Sequence, residues 1–178
     1  MADTVGKVVI TEEEIRQRAA EIGKQITEDY AGEEILLIGI LKGAVMWMSE
    51  LMKYIDNEEL MIDFMAVSSY GSATKSSGVV KINKDLDNPI EGKHIIIVED
   101  IVDSGITLNY LKGYLENRNP KSVKICSLLD KPTGRRTTLE ADYVGFTVPD
   151  RFIVGYGLDF AGKYRNLPYI SFLDEDKE

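Results

Sequence analysis

A chain of 178 residues, 44% hydrophobic and 29% charged, can bury its own core as one globular domain, residues 1–178, without disulfides. Its formal net charge of −9 argues against an extended nucleic-acid interface, which needs a basic surface, and no apolar run approaches the ~20 residues of a membrane span. The one cysteine, Cys126, sits in the apolar run Val123 to Leu129 and reads as a buried thiol. With no basic-then-apolar leader at Met1-Ala2-Asp3-Thr4, a reducing, cytoplasmic setting is expected.

Thr11-Glu12-Glu13-Glu14 has the form of a capping box, and Ile15, Ala19, Ile22, Ile26 and Tyr30 follow at helical spacing until Gly32 stops the helix. Ile35 to Ile40 is a short apolar run that predicts a buried strand, ending at Leu41-Lys42-Gly43. Ala44 to Ile55 predicts a helix, on which Trp47 and Met48 suit either the core or an interface between subunits. Met61 to Val67 predicts a strand, and Val79 to Asn83 a weaker one. Between them, Ser69-Tyr70-Gly71 opens a run of small polar residues reaching Gly78, too polar to bury itself. His94 to Val98 is the clearest strand. Gly105 to Arg118 predicts a helix with Leu108, Leu111 and Leu115 on one face, and Val123 to Leu129 and Tyr143 to Val148 predict further strands.

Apolar strands alternating with helices predict an α/β fold: a twisted, mainly parallel sheet covered on both faces. Ligands of such sheets bind outside the carboxyl ends of the strands. The places to inspect are therefore just beyond Ile40, Val98, Leu129 and Val148.

At the second of these the strand runs into Glu99-Asp100-Ile101-Val102-Asp103-Ser104-Gly105-Ile106-Thr107. Three carboxylates within five residues repel one another where water is partly excluded. A cation relieves that repulsion, and Mg²⁺ commonly joins one or two carboxylates to a phosphate-bearing substrate. The Ser104–Thr107 turn opens a helix, where free N–H groups and the helix dipole favour an anion. Gly105 allows close backbone approach, and the two hydroxyls add donors. A phosphorylated sugar suits both halves. The competing reading makes Glu99 and Asp100 solvated loop residues and Asp103 an N-cap.

The same nine residues resemble the phosphoribosyl pyrophosphate (PRPP) signature of the type I phosphoribosyltransferases. The likeness runs along nearly the whole chain and narrows to the hypoxanthine/guanine members. Ile106 departs from the Lys, Arg or Leu frequent at that position, with little consequence for a loop that binds through its backbone.

The resemblance implies the type I fold, with a small hood formed by the chain ends. It places Glu99 and Asp100 on the ribose with Mg²⁺ nearby, and Ser104, Gly105, Ile106 and Thr107 on the 5′-phosphate. Lys42 and Gly43 match a pyrophosphate loop with a cis peptide before the lysine, although Gly43 alone suits an ordinary turn. Ser69 and Tyr70 match the start of a lid over the pyrophosphate, and Arg165 matches a pyrophosphate ligand. Lys131, in Asp130-Lys131-Pro132, matches the donor to the purine O6; taken alone it reads as a solvated lysine. Phe152 matches the ring stacked on the base, with Ile153 beside it, whereas its own context suggests a core aromatic. Asp159 matches a residue of the purine pocket and of a second metal, and Asp103 matches the base that takes the purine proton. His94, without an acidic or cysteine partner at ligand spacing, is assigned no function.

The implied substrates are PRPP with hypoxanthine or guanine, acted on by a homodimer or homotetramer with no nucleic-acid or membrane partner. Xanthine is the alternative base. A PRPP-sensing regulator of the same fold is the alternative class; it would call for a basic face or an added domain, and retention of Asp103 argues for catalysis.

Overall fold

A computed structural model describes residues 4–69 and 80–174. The lid expectation at Tyr70 and the run to Gly78 lies outside these residues, as does the side chain of Ser69.

The elements in chain order are β1 (Thr4–Ile10), α1 (Glu12–Asp29), β2 (Ile35–Leu41), α2 (Val45–Leu51), β3 (Leu60–Ser69), β4 (Val80–Lys84), β5 (His94–Val102), α3 (Ile106–Glu116), β6 (Ser122–Asp130), β7 (Tyr143–Thr147), β8 (Ile153–Val154) and β9 (Ile170–Asp174). The capping box forms as the sequence predicts. Glu14 N–H donates to the Thr11 hydroxyl at 3.1 Å, and Thr11 N–H to the Glu14 carboxylate at 2.7 Å. Helix α2 is shorter than expected, because Met52–Tyr54 tightens into a 3-10 turn.

The main sheet runs β4-β3-β2-β5-β6-β7, all neighbours parallel except the β3–β4 edge pair. Side chains alternate across it. Leu37, Ile96 and Val98 pack with Ile15, Ile22, Trp47 and Leu51 of α1 and α2. Ile38, Ile95 and Ile97 pack on the other face with Leu108, Leu111 and Leu115 of α3. Trp47 and Met48 are fully buried, which assigns them to the core of this chain. Cys126 is buried too, and burial pushes its thiol up to about 12, so it stays protonated at neutral pH.

A second sheet, ordered β1-β9-β8, is built from the two chain ends and forms the hood. Its strands went unmarked in the sequence, since β1 buries only Ile10 and β8 has two residues.

The chain runs from β2 through α2 outward to β3, and from β5 through α3 outward to β6 on the opposite side. The β2–β5 boundary is therefore the topological switch point, where such sheets open a crevice. Pairing of β2 with β5 ends at Gly39–Val98, while β6 follows β5 to Val102–Asp130. The last residues of β5, Glu99 onward, thus lie uncovered on the β2 side.

Candidate active site

The acidic segment belongs to the strand rather than to the loop beyond it. Strand β5 continues past the expected end at Val98, through Glu99 and Asp100 to Val102, because β6 keeps pairing with it. The backbone of both carboxylates is consequently rigid. Their side chains lie partly exposed at the crevice. Across it, the Leu41–Lys42 peptide is cis, and Gly43 packs so close to Asp100 that a Cβ there would collide with the Asp100 carboxylate. Lys42 is exposed beside it.

Burial, and next the adjacent Asp100, holds the Glu99 carboxyl well above its ordinary value of 4.5. Burial also raises Asp100, opposed by the Ile101 N–H at 2.7 Å and by the Arg165 charge. The two adjacent carboxyls are held in place by strand pairing, and the Asp100 charge opposes ionisation of Glu99. A carboxyl raised on folding binds its proton more tightly in the folded chain, so stability falls as pH climbs above 4.5 toward the raised value. Glu99→Gln removes that cost. The Tm of the ligand-free variant should exceed that of the parent by a few degrees at about pH 8, the gap closing toward about pH 5. Calorimetry across that range checks the sign, and an unchanged Tm at the alkaline end would count against a strained pair.

Beyond β5, the chain turns at Asp103 and Ser104. Gly105 takes a left-handed φ of 78° at the N-cap of α3, with no side-chain cap. Asp103 is therefore not an N-cap residue. Glu99, Ile101, Asp103, Ser104, Gly105 and Thr107 line a cavity of about 160 Å³ over this helix end. The Ile106 N–H donates to the Ser104 hydroxyl at 3.4 Å, and the helix dipole with the N–H groups of the first turn makes the cavity suited to an anion.

A neighbouring cavity of about 270 Å³ is lined by Asp100, Ile101, Asp103, Lys131, Arg151, Phe152, Ile153, Leu158 and Asp159. Lys131 Nζ lies 2.9 Å from Asp103 Oδ2 and 3.7 Å from Asp150. Its side chain is only 13% exposed, so Lys131 is not a solvated lysine. Phe152 is the reverse case. It is 48% exposed, with its ring perpendicular to Phe160 at 5.4 Å, and so is not a core aromatic. Its backbone carbonyl accepts from the Leu173 N–H at 3.0 Å, and its ring forms an apolar part of the cavity wall.

Asp159 Oδ1 pairs with Arg165 at 3.0 Å, and Oδ2 accepts from the Gly162 N–H at 2.8 Å. Arg165 also donates to the Gly157 carbonyl at 2.6 Å. Among the described residues, no cluster of three or more His, Cys, Asp or Glu side chains is preassembled to hold a metal, so Glu99, Asp100 and Asp159 do not form a closed cage. Sequence reasoning had not singled out Ile101, which lines both cavities, nor Arg151 and Leu158. The one signal for Ile101 is a branched apolar residue interrupting an acidic run. His94, at the opposite end of β5, bonds Ser122 at 2.6 Å, away from both cavities.

A phosphate-sized cavity over a helix N-terminus, a paired carboxyl site and an aromatic-walled cavity, all at one switch point, define an α/β enzyme acting on a phosphorylated substrate. The phosphoribosyl transferase domain model matches residues 10–161. The hypoxanthine-guanine phosphoribosyltransferase of Bacillus subtilis (strain 168) is 54% identical over 97% of this chain and 96% of its own. A hypoxanthine phosphoribosyltransferase structure from Staphylococcus aureus superposes with a TM-score of 0.93 at 49% identity, covering 96% of this chain and 92% of that one. A Trypanosoma cruzi structure, concerned with the role of the C-terminal region in oligomeric state and enzymatic activity, superposes at 0.91 with 41% identity, covering 98% and 94%. The chain belongs to the phosphoribosyltransferase family, and its fold is the type I fold of that family.

Proposed function

We propose that this chain transfers the 5-phosphoribosyl group of PRPP to N9 of hypoxanthine or guanine, giving IMP or GMP and pyrophosphate in purine salvage. The observation that carries the proposal is the Lys131–Asp103 pair, 2.9 Å apart on the wall of the larger cavity next to Phe152. An ammonium only donates and a carboxylate only accepts. Side by side they complement an edge with an acceptor next to a donor, which is the O6 and N7–H edge of a 6-oxopurine. Phe152 and Ile153 supply the apolar contact for its ring.

The residues then divide the work. The backbone and hydroxyls of Ser104 to Thr107 hold the 5′-phosphate, and Glu99 and Asp100 fix the ribose hydroxyls. Lys42, Gly43 and Arg165 receive the pyrophosphate, with Ser69 and Tyr70 as its lid. Asp103 takes the proton that the purine loses as N9 attacks the anomeric carbon, within the ~10²–10⁴-fold typical of general-base help. Glu99 and Asp100 would hold one Mg²⁺ near the ribose and Asp159 a second metal, which would supply charge neutralisation to the departing pyrophosphate.

Pyrophosphate release from PRPP and hypoxanthine should require Mg²⁺ or Mn²⁺ and cease in excess EDTA; full turnover in EDTA would remove the metal from the proposal. No described helix is long and apolar enough to cross a membrane, and we place the enzyme in the cytosol as one domain of residues 1–178. The oligomer proposed is a homodimer or homotetramer, with light scattering as the check.

A further inference from the structure

We propose that Arg135 is a positioning residue for the phosphate-binding loop, setting its polarity from behind; the inference rests on reading Ser104 to Thr107 as that loop. An anion loop needs its N–H groups toward the ligand and its carbonyl oxygens away from it. Two carbonyls here are drawn back toward the segment that follows β6. Arg135 Nε donates to the Asp103 carbonyl at 3.1 Å, and the Arg136 N–H donates to the Ser104 carbonyl at 2.9 Å.

The rest of the guanidinium is anchored. Nη1 donates to the Leu139 carbonyl at 2.7 Å, and Nη2 is ion-paired with Asp130 at the end of β6. The side chain is 13% exposed and lines neither cavity of the site, so it acts through the loop and not on a ligand. The loop also rests directly on it: a Cβ at Gly105 would stand 3.2 Å from Arg135 Cδ and 2.6 Å from the Thr137 hydroxyl.

Three acceptors in three directions require the rigid fork of a guanidinium; the single nitrogen of a lysine cannot reach them together. Because Asp130 adjoins Lys131 in sequence, the same side chain ties the phosphate loop to the strand end that carries the purine-facing lysine.

The test compares two ligands that engage different loops. Ribose 5-phosphate and, separately, pyrophosphate are titrated with Mg²⁺ into the parent, Arg135→Lys and Arg135→Gln proteins. Loss of one charge-assisted buried hydrogen bond corresponds to about tenfold in affinity. Ribose 5-phosphate should weaken by about tenfold or more in both variants, while pyrophosphate binding stays within about twofold. Arg135→Lys keeps a cation beside Asp130, so it preserves the fold if the glutamine variant does not. Added guanidinium should restore part of the loss in Arg135→Ala. Equal weakening of both ligands would reduce Arg135 to a structural residue, and no weakening would remove any role. A parent protein that bound pyrophosphate but not ribose 5-phosphate would overturn the phosphate-loop reading itself, and this inference with it.

Discussion

Asp103→Asn should lower kcat by about 100-fold or more while leaving PRPP affinity nearly unchanged. The substitution keeps the side-chain size, and its amide oxygen can still accept from Lys131, which sits 2.9 Å from the carboxylate. Asp150, 3.7 Å from Lys131, keeps that lysine in an anionic field. The variant loses the carboxylate's charge and its basicity toward the purine, while the groups assigned to PRPP are untouched, and a base works only as the proton leaves the purine. The turn around Asp103 is tight: a Cβ at Gly134 would collide with its carboxylate, so the isosteric amide is the substitution the site can accept. Asp100→Asn should behave differently. Asp100 lies against Gly43 in the crevice, in the position assigned to the ribose, and its loss should weaken PRPP binding as well. Steady-state kinetics with calorimetric PRPP titration of both variants separates the roles. A near-normal kcat in Asp103→Asn, or a loss confined to PRPP affinity, would send the search for the base elsewhere.

Adenine should be used at least ~100-fold less efficiently than hypoxanthine. Adenine carries an amino donor where a 6-oxopurine carries O6, so it brings a donor to the Lys131 ammonium. Lys131 is largely enclosed at 13% side-chain exposure, so water cannot readily repair the mismatch. A buried donor left unpaired costs ~1–3 kcal/mol, and two opposed donors cost more. Comparison of kcat/KM for the two bases at saturating PRPP is the measurement, and comparable values would show that Lys131 does not face position 6. The same comparison run with Lys131→Gln sharpens the test. An amide can present either a donor or an acceptor, so the ratio should narrow mainly through a loss of hypoxanthine efficiency.

The residues legible in the sequence are those whose roles are local. Glu14 reaches Thr11 three positions away, and the α1 stripe and the β5 alternation repeat within a few residues, so each element carries its own signature. The run from Glu99 to Thr107 was legible as a strand end, a turn and a helix start for the same reason, because these lie contiguous in the chain. Lys131 and Phe152 were not legible from their own neighbourhoods, which suggest a surface lysine and a core aromatic. Burial reverses both, and burial depends on what distant segments bring.

The sequence by itself thus determined the α/β class, the helices, the parallel strands and the position of the acidic segment. The tertiary structure alone decided three things. One is the strand make-up of the hood: the resemblance implied a hood from the chain ends, but its strands are short or mostly exposed and are defined only through their pairing. Another is the crevice, which opens because β2 leaves β5 at Gly39 while β6 follows to Val102. The last is the set of contacts between the segments that follow β5 and β6, Lys131 with Asp103 and Arg135 with the Asp103 carbonyl. These join residues some thirty positions apart, a separation over which no local periodicity survives and only the order of strands in the sheet brings two groups to one place.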